Sequence, residues 1–154
     1  MTADISTRAF GRAVLIGIGV SLITAVFMIA MTRAGLAPFP KPPSLAFAET
    51  VLGRALPLPV GLAFHTAYVT AWSVIFVLLF TRRSLIMALL LAAVLWGGVL
   101  VVFFPVVGWG LFGQNIGPQL IPGSLVPHLL FGLALWALDR LVPALATRDA
   151  NGGS

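Results

Sequence analysis

Four stretches of this chain are long and apolar enough to cross a bilayer, which leaves little choice of fold. A hydrocarbon core about 30 Å thick needs roughly 20 apolar residues of helix. Ala13 to Met31, Leu58 to Phe80 and Leu85 to Phe104 carry no charged side chain. Leu125 to Ala146 carries only Asp139 and Arg140. Backbone groups surrounded by lipid must be satisfied within their own segment, so such stretches are helices. The pattern predicts an all-α, integral membrane four-helix bundle of up-down type. A single domain covers residues 1–148, and a disordered tail runs from Asp149 to Ser154.

Composition agrees. Of 154 residues, 60% are hydrophobic and 8% charged, whereas soluble domains carry about 25% charged residues. That excludes a soluble enzyme and a disordered chain. Cysteine is absent, which excludes disulfides, thiolate zinc sites and Cys-ligated iron–sulfur clusters. The first apolar run, about 19 residues, exceeds the 7–15 of a secretory h-region, and Thr32-Arg33 follows it without an A-x-A site. It reads as a retained span.

Basic residues set the expected orientation. One side of the membrane receives Arg8, Arg12, Arg82, Arg83, Arg140 and Arg148, the other Arg33, Lys41 and Arg54. The richer side is the cytoplasmic one, so both termini are expected in the cytoplasm. The net charge of +5 is mostly this bias. No basic stripe with interleaved aromatics points to nucleic acid.

The connections differ in character. After span one comes Ala37-Pro38-Phe39-Pro40-Lys41-Pro42-Pro43, expected extended. Ser44 can then cap a short interfacial helix from Leu45 to Leu56. Its apolar face would be Leu45, Ala48, Val51, Leu52, Ala55 and Leu56, with Glu49, Thr50 and Arg54 polar. Thr81 to Ser84 is short enough to make spans two and three an antiparallel hairpin. Pro105 to Ser124 is uncharged and Gly-rich. It reads either as a cap over the bundle or as a re-entrant segment lining a cavity. Trp109 and Phe112 suit the headgroup level.

Ala13, Gly17, Ser21 and Ala25 recur at i+4 in span one, as do Ala63, Ala67 and Ala71 in span two. Small residues so spaced let helix backbones approach closely, within one chain or between chains.

Polar side chains inside a span are the candidate functional groups. His65 and His128 lie in spans that run the same way, at similar depth on diagonally opposed helices. Gly61 precedes His65 by one turn, Tyr68 and Trp72 continue its face, and Gly132 follows His128 by one turn. Three readings stand. In the first, each histidine bonds a neighbouring helix or interfacial water. The pair can ligate one haem b on the outer side, the glycines making room for the macrocycle. Or the pair, with Glu49, can hold a transition metal. Asp139 lies roughly 16 Å along the helix from His128. It is expected to pair with Arg140, Arg82 or Arg83, or else to serve proton-coupled transport. No G-x-S-x-G, H-E-x-x-H or phosphate-binding glycine motif occurs.

A histidine early in span two, the segment Pro105 to Gly113, and His128 to Gly132 together resemble uncharacterised bacterial four-span inner-membrane proteins of the YagU-like type. The resemblance covers span one to span four. It implies a four-span inner-membrane protein with no assigned reaction, and it carries over no catalytic residue. The expectation is therefore a non-catalytic accessory or structural subunit, packing against itself or a larger membrane complex.

Overall fold

In the computed structural model, residues 7–151 are described, with side chains for residues 7–142. Among them there is helix but no strand. Helix α1 covers Thr7–Arg33, α2 Pro43–Leu52, α3 Leu58–Leu79, α4 Leu85–Val106 and α5 Leu120–Asn151. The four long helices are each apolar enough over at least 18 residues to span a membrane. The chain is thus a multi-pass, all-α membrane protein with a four-helix bundle.

Helix α1 packs on α3 and α5, α4 packs on α5, and α2 packs on α3. Small residues mark the close approaches. A methyl group on Gly17 would come within 2.8 Å of the Thr70 backbone, and one on Gly132 within 3.0 Å of the Ala88 carbonyl. The α1 stripe is buried at Ala13, Gly17 and Ser21, so its neighbour is α3 of the same chain. The stripe on α3 behaves otherwise: Ala63, Ala67 and Ala71 are exposed.

The hairpin pair α3 and α4 does not form one of the main helix contacts. Phe76, Leu91 and Leu95 fill the core to which both helices contribute. Side chains of that size hold backbones further apart than glycine does. Ala13, Ile16 and Val20 of α1 and Phe131, Ala134 and Leu135 of α5 complete this core.

Several boundaries differ from the sequence reading. Helix α2 ends at Leu52, not Leu56, because Gly53 adopts φ 64° and closes it. Pro42, not Ser44, precedes its first turn, with no side-chain cap. Ala46 and Ala48 are its buried residues, while Val51 and Leu52 are more than 45% exposed. Helix α4 continues through Pro105, where a stop was expected. A π turn at Val99–Phe103 precedes the proline. Such a widened turn relieves the clash and lost hydrogen bond that proline brings. Helix α5 begins at Leu120 rather than Leu125, since Pro122 falls in its first turn, where N–H groups lack helix partners anyway. Its backbone is helical as far as Asn151, into the stretch expected as a disordered tail; residues 152–154 lie outside the described ones.

The connection after α4 is a cap. Gly108 and Gly110, with φ 79° and 78°, turn the chain about Trp109. The indole is thereby buried with Phe104, Leu100, Leu120 and Ala46, and its ring stacks on Phe39 at 6.1 Å. Trp109 is therefore part of this core, while Phe112 remains 45% exposed.

Candidate functional site

Two polar groups of side chains sit at opposite ends of the bundle. The first surrounds His65, about 10 Å from the start of α3. Its Nε2 lies 3.0 Å from Thr24 Oγ1 and 3.3 Å from the Ser21 carbonyl. The Thr24 hydroxyl itself donates to the Val20 carbonyl at 2.9 Å, so it is an acceptor toward the ring. The Ser21 carbonyl can only accept. Both partners therefore place the proton on Nε2. Beside them Ser21 donates to Thr66 Oγ1 at 2.9 Å. These bonds join α1 to α3.

His128 lies about 12 Å from the start of α5, a depth close to that of His65. Its Nδ1 is 2.7 Å from the Ser124 carbonyl one turn earlier, so Nδ1 is the donor. Ser124 in turn accepts from Trp96 Nε1 at 3.1 Å, tying α4 to α5. The two histidines thus bond to different partners, His65 to α1 and His128 to its own helix.

The glycines do not open a cofactor cleft. The space beside Gly61 holds Leu45, whose Cβ is 2.8 Å from where a methyl group would sit. The space beside Gly132 holds the Ala88 carbonyl, Ala92 and Leu89. Tyr68 is 46% exposed and stands edge-on to Trp72 at 6.4 Å. A macrocycle between the histidines has neither the glycine space nor a free Nε2 on His65, so these residues do not fit a bis-histidine haem.

Glu49 is also placed elsewhere. It pairs with Lys41 at 2.6 Å and accepts from the Leu56 amide at 3.2 Å. The Lys41 hydrogen bond, then the Leu56 amide, hold its carboxyl below the ordinary carboxylate range. It closes the Pro-rich loop onto α2. Among the described residues no three His, Cys, Asp or Glu side chains converge as metal ligands would.

The second group lies at the other end. Asp139, 7% exposed, accepts from Arg12 Nη2 at 2.7 Å on Oδ1 and meets Arg83 Nε at 3.4 Å on Oδ2. Arg12 Nη2 also donates to the Asp139 carbonyl at 2.6 Å, and Arg83 Nη1 to the Val77 carbonyl at 3.1 Å. One carboxylate thereby ties α1, the α3–α4 turn and α5 together. Of the partners expected for Asp139, Arg83 is correct. Arg82 has no such pairing, and Arg140 is exposed, its guanidinium 5.3 Å from the Trp136 ring. Arg12 was missing from the sequence reading. The signal for it was its place at the charged end of span one, level with the sole acid inside a span. Between Asp139 and His128 the buried residues of α5 are Phe131, Gly132, Ala134 and Leu135, none with a polar side chain.

An open groove of about 540 Å³ lies on the outer surface between α1 and α3. It is lined by Val14, Ile18, Leu62, Ala63, Thr66, Ala67 and Thr70. Compared with protein-family models, curated proteins and solved structures, the chain matches none.

Proposed function

We propose that this chain is a non-catalytic accessory or structural subunit of a bacterial inner membrane, associating within the bilayer with itself or with a larger membrane complex. Membership of the YagU-like type and cytoplasmic termini belong to the same proposal. One observation carries it. The exposed Ala63 and Ala67 of α3 border an open apolar groove against Val14 and Ile18 of α1. Small residues beside a groove admit a further helix at close range. Side chains that bond helix to helix inside the bundle support this reading: Ser21 to Thr66, Trp96 to Ser124, Arg12 to Asp139.

Blue-native electrophoresis from native membranes tests the proposal. The expected result is a band well above the 16.2 kDa monomer that shifts down when Ala63→Leu and Ala67→Leu fill the groove. Migration only as a free monomer contradicts it.

A further inference from the structure

The Arg12–Asp139–Arg83 group has more positive charge than it uses. Two guanidinium groups meet one carboxylate, and both carboxylate oxygens are taken. The described part of the group therefore carries a net positive charge. Arg8 lies one turn before Arg12 on the same face of α1, Arg82 precedes Arg83, and both are exposed. Glu49, the other acid with a described side chain, is paired with Lys41 at the far end of the bundle. Arg12 Nε is enclosed without a hydrogen-bond partner. Arg83 keeps 38% of its side chain exposed, and Arg12 25%.

Depth gives this charge its meaning. Asp139 is about 28 Å along α5 from Leu120, close to the thickness of a hydrocarbon core. With Leu120 at one edge of the hydrocarbon core, the group falls near the other edge, from which arginine side chains reach the lipid phosphates. Arginine binds phosphate through its planar fork of donors. Basic recesses between spans at the membrane boundary take anionic headgroups.

We infer that Arg12 and Arg83, braced by Asp139 and flanked by Arg8 and Arg82, seat the phosphate of an anionic phospholipid. The lipid supplies the negative charge that the single carboxylate leaves unbalanced. Its acyl chains lie along the apolar surface of the adjoining helices.

Native mass spectrometry of the full chain, released from mixed phosphatidylglycerol and phosphatidylcholine micelles, tests this. The wild type is expected to retain phosphatidylglycerol preferentially. Arg83→Gln should reduce that preference about fivefold, the contribution of one basic residue at an anionic surface. Arg82→Gln has no hydrogen bond or ion pair to lose among the described residues and should reduce it in the same direction, which keeps the test valid if Arg83→Gln does not fold. Arg33→Gln and Arg54→Gln remove the same charge at the other end and should leave the preference unchanged. Equal losses at all four positions would overturn the site in favour of diffuse attraction. Equal retention of both lipids would also overturn it. Displacement of phosphatidylglycerol by millimolar inorganic phosphate would assign the group to a free anion instead.

Discussion

Asp139 is the residue on which the charged end of the bundle turns. Replacing it with asparagine leaves two guanidinium groups facing each other with no anion between them. Removing one partner of a fully buried ion pair costs about 3–5 kcal/mol. Arg12 and Arg83 keep part of their side chains exposed, so Asp139→Asn should cost less, about 2 kcal/mol, read as earlier unfolding in a detergent melt. Arg140→Gln loses only a ring contact with Trp136 and should leave that melt within about 0.5 kcal/mol of wild type. Glu49 makes a prediction of opposite pH sense to a histidine. Its carboxyl titrates below its ordinary range because Lys41 and the Leu56 amide bind the charged form. The loop closure it provides is complete above the ordinary carboxylate range and is lost as pH falls through the depressed value. Protection of the Leu56 amide, its exchange rate relative to the intrinsic rate at the same pH, should therefore fall on acidification, and Glu49→Gln should show the low protection at neutral pH.

At the scale of the helices, glycine decides who touches whom. Gly61 lets α2 lie against α3 through Leu45. Gly61→Leu should lift α2 off and expose the Lys41–Glu49 loop to proteolysis while the spans stay helical. Limited digestion followed by mass analysis would show the new cut near residue 53, and an unchanged digest would count against the contact. The spans themselves were legible because hydropathy acts over some twenty residues and needs no partner. Helix ends were less so, because proline was read as a stop. Pro105 and Pro122 instead sit inside helices, one behind a π turn and one in a first turn. The histidines were legible as unusual residues, and simple rise puts them about 10 and 12 Å from the starts of α3 and α5. Their partners were not: Thr24 and Ser21 lie more than forty positions from His65, and Arg12 lies 127 from Asp139. Such pairings come from the order in which helices pack, which periodicity along one helix does not contain. The pairing of α1 rather than α4 with α3 is that missing information.

For the whole molecule, the distribution of small residues separates inside from outside. The stripe on α1 is consumed within the chain at Gly17 and Ser21, whereas Ala63, Ala67 and Ala71 on α3 face outward. Bulky side chains such as Val94 on α4, 70% exposed, give the rest of the surface an ordinary lipid-facing character. Association in the bilayer should therefore be confined to the α1–α3 side. The chain has no cysteine of its own, which makes single-cysteine cross-linking direct. Oxidative cross-linking in native membranes of Ala67→Cys, compared with Val94→Cys, addresses the central claim. The account predicts a discrete dimer or partner adduct from Ala67→Cys and none from Val94→Cys. Equal, weak adducts from both positions, or none from either, would contradict it and leave the groove as ordinary lipid-exposed surface.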